Sequence, residues 1–226
     1  MQQKSQNYQV DEFSFYLENA LSQDHNIRKN AEDKIKYICE QNFGGFLVEL
    51  SKKLSTEQEK KSVRQMSATI IKNMINKEGY SSQWLNLNNE IKTAVKNNIL
   101  STLDSNDIDI LKAAAFTVAG ICKIEIPQNQ WLNIIGFFSN CIQSENLYVQ
   151  LKSLMCLEYI FEDINRSDFS EEMVLYLFKT FCSLLNKDQI NESLCIYALK
   201  AILKFQPFIK EVVKVKMLII LTNQIN

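Results

Sequence analysis

The side chains that most often carry enzymatic chemistry are few in this sequence. Its single histidine, His25, follows Asp24 in a polar segment that suits the start of a helix. A histidine acts as a general base only within a constellation of reactive groups, and the sequence offers none. We therefore expect a solvated or helix-capping role for His25.

The six cysteines could in principle form disulfides or bind a metal. No two of them stand in a C-x-x-C spacing, and each falls within an apolar helical pattern. This favours reduced cysteines that pack as small hydrophobic side chains, and a chain with one histidine has few ways to hold zinc. We expect no metal and no cofactor. The cysteines are Cys39, Cys122, Cys141, Cys156, Cys182 and Cys195.

Two other kinds of reactive site are also not predicted. Gly44 and Gly45 lack the G-K-[ST] that completes a phosphate-binding loop. The paired acids at positions 162–163 and 171–172 fit helix starts and solvated faces, where a carboxylate is stabilised by free backbone N–H groups or by water. The sequence therefore predicts a protein that is not an enzyme.

Composition indicates an all-helical protein. Apolar residues make up 46% of the 226 residues, enough for a globular core, while five glycines and two prolines leave little material for β-turns. The formal charge is −1 and the lysines are dispersed, so nucleic acid is not an expected partner. The N-terminus does not resemble a signal peptide, and no apolar run approaches the ~20 residues of a membrane span. We expect a soluble intracellular protein without membrane insertion.

Residues 110–138 predict how the helices are arranged. An apolar face too broad for a surface helix precedes Pro127, so this helix is expected to pack on two sides before the proline stops it. A second helix is predicted to begin at Trp131. The apolar residues of the first helix are Ile110, Leu111, Ala114, Ala115, Val118, Ala119 and Cys122, and those of the second are Ile134, Ile135 and Phe138.

The two-helix pattern repeats along the chain. A small residue recurs at Ala31, Ser67, Ala114 and Ser153, at intervals of roughly 40 residues that are typical of HEAT or armadillo repeats. We predict an all-α fold, an α-α superhelix with about five helix pairs and one unpaired C-terminal helix. The predicted repeats of this single domain, 1–226, are 11–42, 43–78, 88–123, 130–165, 170–206 and a partial sixth at 210–226. Residues 79–89 are predicted to be a connection.

Several segments go beyond a generic repeat and resemble the N-terminal region of the importin-β family. The resemblance runs from about Leu17 to Tyr159 and follows the family's order of motifs. It includes an I-K-N element in the second repeat and an I-E-I-P-x-x-x-W turn between the third and fourth. The segments are DHNIRKNAEDKIK, QNFGGFLVELSKKL, VRQMSATIIKNMI, WLNLNNEIKTAVKNNILSTL and VAGICKIEIPQNQW.

The resemblance implies an N-terminal part of a nuclear transport receptor for protein import. Members of the family bind Ran-GTP on the concave face, which the second helix of each pair forms. By position, the implied contacts are Lys72, Lys77, Glu78 and Lys112. Arg28 and Arg64 occupy inner-helix positions similar to that of Lys112. For these arginines we expect a structural role, in which each pairs with an acid of a neighbouring repeat.

The resemblance also implies a site for phenylalanine-glycine nucleoporins on the convex face, lined by Leu177, Phe178, Phe181 and Met217. The sequence departs from the family near this site, where Lys214 and Lys216 replace an expected large apolar residue. Cargo, or an importin-α adaptor, is expected to bind repeats that follow this region in the family. The implied localisation is cytoplasm and nucleus, including the nuclear pore.

A second reading stays open from the sequence. HEAT repeats also form scaffolds of complexes that have no part in transport, such as phosphatase or assembly scaffolds. The turn at Gln130 and Trp131 and the I-K-N helix favour the transport receptor.

Overall fold

A computed structural model describes residues 11–186 and 191–209. Within these ranges the chain forms α-helices joined by short connections, with three 3₁₀ segments and no β-strand. The helices are α1 (Glu12–Asn19), α2 (His25–Gln41), α3 (Phe43–Ser55), α4 (Lys61–Ile75), α5 (Tyr80–Asn86), α6 (Asn89–Thr102), α7 (Ile108–Glu125), α8 (Asn133–Ile142), α9 (Leu147–Asp163), α10 (Glu171–Leu185) and α11 (Glu192–Phe205).

The helices are arranged as a stack of pairs. Contacts join α1 to α2, α3 to α4, α6 to α7, α8 to α9 and α10 to α11. The second helices α4, α7, α9 and α11 contact one another in succession, while α3 contacts α6 and α8 contacts α10 in a separate layer. This confirms the predicted all-α HEAT-type solenoid. The predicted unpaired helix, at residues 212–221, lies outside the described residues, and the repeat limits stay a prediction.

Polar residues in the connections start most of the helices. Asp107, for example, accepts a hydrogen bond at 2.9 Å from the backbone N–H of Asp109, which has no partner within the helix. These caps explain why short polar connections suffice where glycine and proline are scarce. The side-chain caps are Asp11, Asp24, Asn42, Asn88, Asp107, Asn146, Ser170 and Asn191.

Helix α7 is buried between its neighbours α4 and α9, as its broad apolar face predicts. Its Ala114, Ala115 and Ala119 are fully buried, and side chains of this size allow adjacent helices to approach closely. The hydroxyl of Thr117 also contacts the carbonyl oxygen of Ala68 on α4, at 3.4 Å. The recurring small residues are all buried: Ala31, Ser67, Ala114, Ser153 and, on α11, Ala198.

The turn after α7 differs from the prediction in one respect. Pro127 lies in a 3₁₀ segment at Ile126–Gln128 that directly follows α7. Trp131 does not begin the next helix, because α8 starts at Asn133. Asn129 and Trp131 have φ values of 55° and 54°, in the left-handed region, and a right-handed helix requires negative φ. These two residues turn the chain, and Trp131 stands outside the helix.

A buried polar cluster joins this turn to the helices before it. The fully buried Trp84 donates from Nε1 to Oε1 of Glu125 at 3.1 Å, and Glu125 has 0% exposure. Lys96 on α6 forms an ion pair with Oε2 of Glu125. Its Nζ atom also lies 4.6 Å from the centroid of the Trp131 ring, a cation–π contact. We call Trp84, Lys96, Glu125 and Trp131 the Glu125 cluster.

The Glu125 cluster explains a second difference from the prediction. Residues 79–89 were expected to form a connection, but Tyr80–Asn86 form the short helix α5. This helix carries Trp84 into the core, where its indole N–H requires an acceptor. The connection is therefore a structural element anchored by Glu125.

The start of α3 is the third difference. The sequence predicts a helix after Gly44 and Gly45, whereas both glycines lie in its first turn, since α3 begins at Phe43. Asn42 caps this turn by accepting from the N–H of Gly45 at 2.9 Å. A Cβ atom on Gly44 would lie 2.8 Å from Cδ1 of Ile91 on α6. Glycine at position 44 thus permits the close contact between α3 and α6.

We expect Glu125→Ala to lower the free energy of unfolding by about 3–5 kcal/mol, because it leaves the buried Trp84 N–H and the Lys96 ammonium without their acceptor. Urea denaturation followed by circular dichroism measures the change. Glu162→Ala is the matched control, since Glu162 pairs with Lys204 at an exposed site where loss costs roughly 0–1 kcal/mol. Equal losses in the two variants would contradict an anchoring role for Glu125.

Candidate functional site

A groove of about 580 Å³ lies between α4 and α7 on the face formed by the second helices. Ala68, Ala113 and Phe116 supply its apolar surface. We call it the α4–α7 groove. Its polar lining consists of Gln65, Thr69, Lys72, Asn73, Asp109 and Lys112. Two of the four residues that the resemblance implies for Ran binding, Lys72 and Lys112, therefore line one groove although they lie on different helices.

Lys72 is held in a defined position. Its side chain is half-buried, and Nζ lies 4.4 Å from the centroid of the Phe116 ring on α7. Phe116 in turn stacks on Tyr159 of α9, with ring centroids 3.9 Å apart and an angle of 18° between the planes. An ammonium over an aromatic face is stabilised by the ring quadrupole. The aromatic pair thus keeps the charge of Lys72 inside the groove.

Asp109, the one carboxylate of this groove, is engaged elsewhere. Lys61 pairs with Asp109 at 2.6 Å and with Asp107 at 2.9 Å. The hydrogen bond from Lys61 is the main reason why the pKa of Asp107 is lowered, and the hydrogen bonds to both acids raise the pKa of Lys61. No carboxylate within the described residues forms an ion pair with Lys72 or Lys112. The groove therefore presents two lysine ammonium groups that can pair with a carboxylate of a partner protein.

Lys112 differs from Arg28 and Arg64 in its surroundings, although the three residues occupy similar inner-helix positions in the sequence. Lys112 is exposed, whereas Arg64 is buried and donates from Nε to the carbonyl oxygen of Leu54 at 2.9 Å. Arg28 donates in the same way to the carbonyl oxygen of Ser22 at 2.8 Å. The expected structural role is therefore seen, but within the described residues neither arginine pairs with the expected acid of a neighbouring repeat. Arg64 thus satisfies a backbone carbonyl in the last turn of α3, and Arg28 one in the connection between α1 and α2.

Lys77 and Glu78 lie outside the α4–α7 groove. Both are exposed and stand in the turn that follows the end of α4 at Ile75. The Nζ atom of Lys77 lies 5.8 Å from the Tyr80 ring centroid. The structure thus brings Lys72 and Lys112 together but leaves these two residues at one end of α4, available to a partner that extends beyond the groove.

Two of the four residues implied for nucleoporin binding are buried. Leu177 is fully buried and Phe181 nearly so, while Phe178 is half-buried. Phe181 belongs to an aromatic cluster formed by side chains from α9, α10, α11 and the adjoining 3₁₀ segments. Its members are Phe161, Phe169, Phe181, Phe205 and Phe208. Met217, Lys214 and Lys216 lie outside the described residues, so this site stays a prediction.

The residues considered for catalysis or metal binding are dispersed. Asp24 caps α2, and Nδ1 of the exposed His25 lies 3.4 Å from Arg28. Burial raises the pKa of the Cys122 and Cys156 thiols, which keeps them in the neutral form. Among residues 11–186 and 191–209 no three histidine, cysteine or acidic side chains gather as metal ligands do. The described helices also include none long and apolar enough to cross a membrane.

Phe116 and Tyr159 are the residues of this site that sequence reasoning missed. Both occupy helical positions at which an aromatic side chain ordinarily packs into a core. Periodicity alone could not show that they stack across two helices and support Lys72, because it describes one helix at a time.

Comparison with known proteins gives consistent matches. The family model described as the importin-beta N-terminal domain matches residues 31–105. Importin subunit beta-1 of Arabidopsis thaliana is 27% identical over 192 residues, covering 82% of this chain and 22% of that protein. The Saccharomyces cerevisiae protein of the same name is 33% identical over 162 residues, covering 67% and 19%. The chain thus spans less than a quarter of the length of these relatives.

Solved structures agree with the sequence matches. A Kap95:Nup1 complex has a TM-score of 0.81 and 26% identity, covering 94% of this chain and 26% of Kap95. A second structure shows Kap95p binding that induces the switch loops of RanGDP to adopt the GTP-bound conformation. Here the TM-score is 0.79 and the identity 27%, covering 88% and 24%. Together with the helix pairs and the motif order, these matches show that the chain belongs to the importin-β family and corresponds to its N-terminal HEAT-repeat region.

Proposed function

We propose that this chain acts within a nuclear transport receptor and binds Ran-GTP through the face formed by its second helices. The observation that carries the proposal is the likeness to Kap95p, which has been solved with Ran, over 88% of this chain. The α4–α7 groove lies on the layer of second helices, the layer that the family resemblance implies for Ran. Lys72 and Lys112 are its proposed contacts, with Lys77 and Glu78 as further contacts at the end of α4.

The charge of the groove supports this assignment. Because Lys61 engages Asp109, Lys72 and Lys112 can meet acidic side chains of a GTPase switch region without competition from a carboxylate of the groove. Complementary charges of this kind raise the association rate and disfavour partners of the wrong charge. A positively charged groove is therefore suited to select one face of a GTPase.

Phe116 supports the same role through conformational entropy. A lysine side chain has about 2 kcal/mol of rotamer entropy, part of which is lost when a partner fixes it. The contact with the Phe116 ring restricts Lys72 before binding, and the stack on Tyr159 restricts the ring itself. Phe116 and Tyr159 are proposed as residues that position Lys72.

The proposal extends to nucleoporins and to import as a whole. Kap95 has been solved with Nup1, and we propose that the first-helix side of this chain binds phenylalanine-glycine nucleoporins. Phe178 is the proposed accessible contact, with Leu177 and Phe181 supporting it from the core. Met217, outside the described residues, stays a proposed contact. Cargo or an importin-α adaptor would bind later repeats of such a receptor. It would work in the cytoplasm, the nucleus and the nuclear pore.

Purified chain immobilised on beads is expected to retain Ran loaded with a non-hydrolysable GTP analogue more strongly than Ran loaded with GDP. The reason is that a switch region changes conformation with the nucleotide. Quantitative pull-down followed by a titration measures the ratio of the two dissociation constants. Equal binding to both forms, or none to either, would overturn the transport proposal and favour a scaffold of another kind.

Lys72→Glu and Lys112→Glu are each expected to weaken Ran-GTP binding by about tenfold or more, which is 1.4 kcal/mol, because each replaces a cation of the groove with an anion. Isothermal titration measures the affinity, and thermal unfolding checks the fold. Lys179→Glu on α10 is the matched control, since Lys179 is exposed on the other layer of helices. If the control weakens binding as much as the groove variants do, the effect is one of net charge and the site is wrong.

Phe116→Leu is expected to weaken Ran-GTP binding by roughly threefold to tenfold while keeping an apolar side chain in the groove, because it removes the ring that holds Lys72. The same substitution made in the Lys72→Glu background should have little further effect. This double-mutant cycle isolates the coupling of the two residues. Independent, additive losses would contradict the positioning role.

A further inference from the structure

A second groove on the same layer of helices, distinct from the α4–α7 groove, is shaped to bind a peptide segment. It has a volume of about 370 Å³ and lies against α7, α9 and α11. We propose that this groove, which we call the α7–α9 groove, binds an extended segment of a partner protein that carries bulky apolar and acidic side chains on the same face, two residues apart. The proposal goes beyond Ran binding and does not depend on it.

The walls of the α7–α9 groove are apolar and open to solvent. Leu111 and Met155 are buried against the core and form its inner surface. Ile108 and Tyr148, which also line the groove, are 47% and 72% exposed. Large apolar side chains exposed around a concavity are typical of surfaces that bind another protein. This arrangement calls for an apolar side chain from the partner.

The charge of the groove specifies what should flank that apolar side chain. Lys152 lines the groove, whereas no carboxylate does, and Lys152 forms no ion pair with any described residue. A second cation, Lys200, lies 5.1 Å from the ring centroid of Tyr197, another lining residue. Glu158 attracts Lys200 and offsets part of its charge. A basic segment would therefore meet like charge at Lys152, and an acidic segment opposite charge.

The two grooves lie on different sides of α7. Asp109, Lys112 and Phe116 face the α4–α7 groove, while Ile108 and Leu111 face the α7–α9 groove. One residue along an α-helix corresponds to a rotation of about 100°. Substitutions in one groove can therefore be made without changing the lining of the other.

The experiment uses a fluorescein-labelled peptide of repeated phenylalanine–serine–glutamate–serine, which places phenylalanine and glutamate on one face of an extended chain, with fluorescence polarisation as the readout. Two matched peptides carry lysine in place of glutamate or serine in place of phenylalanine. The glutamate–phenylalanine peptide is expected to bind at least about tenfold more tightly than either of them, since each lacks one of the two complementary features.

Variants of the protein then locate the binding. Tyr148→Ser and Lys152→Glu are each expected to lower the affinity for the glutamate–phenylalanine peptide by about fivefold or more. The Lys152→Glu variant should also bind the lysine peptide more tightly than the wild-type protein does. Lys179→Glu serves as the control and should leave all affinities unchanged. Lys152→Gln, which removes the charge but keeps an unbranched polar side chain, provides a second test if Lys152→Glu lowers the thermal stability.

Three outcomes would overturn the proposal. The first is no measurable binding of the glutamate–phenylalanine peptide. The second is binding that Tyr148→Ser and the Lys152 variants leave unchanged. The third is complete displacement of the bound peptide by Ran-GTP, together with loss of Ran-GTP binding in Lys152→Glu, which would assign the groove to Ran itself. If instead the chain binds no Ran-GTP but the peptide results hold, the proposed transport function fails and this proposal stands.

Discussion

The structure depends on one constraint, which is that no pair of helices buries its own apolar surface alone. Helix α7 shows this most clearly, because its alanines are covered on one side by α4 and on the other by α9. Small residues permit a close approach of the helices, and this approach also determines the distances between side chains at the surface of the layer formed by the second helices. Phe116 can stack on Tyr159 at 3.9 Å only because the helices that carry them are in direct contact. The core thus determines the geometry of the α4–α7 groove.

The Glu125 cluster adds a directional element to this apolar stack. A buried carboxylate is costly unless its charge is paired, and here Lys96 forms an ion pair with Glu125 while Trp84 donates a hydrogen bond to its Oε1. The arrangement requires α5, α6 and α7 to meet at one point. It also gives a physical reason for the segment IEIPQNQW, since the glutamate, the proline turn and the tryptophan each take part in one junction. An apolar residue in place of Glu125 would leave the indole N–H of Trp84 without its acceptor.

Residue spacing predicted the features that belong to a single helix. The apolar face of α7, the polar caps and the number of helix pairs could be predicted from the sequence because they depend on periodicity and local hydrogen bonds. Features that depend on a neighbouring helix could not. Trp131 was placed in a helix because its spacing fits one, yet its left-handed φ follows from the turn. The partner of Arg64 and the role of Phe116 likewise required the packed arrangement.

The hydrogen bond from Arg64 to the preceding helix α3 has a mechanical consequence. Gln150 on α9 makes the same kind of bond, to the carbonyl oxygen of Ile142 on α8 at 2.8 Å, so two pairs are each closed internally by a directional bond. Contacts between successive pairs are mainly apolar and non-directional, and they are supplemented by exposed ion pairs such as that of Lys61 with Asp109 and by less exposed polar contacts such as that of Lys53 with Asp11. Where the contact between two pairs is only apolar, small sliding movements should cost less between pairs than within a pair that such a bond closes. Under an applied force, the solenoid should therefore deform first at the contacts between helix pairs.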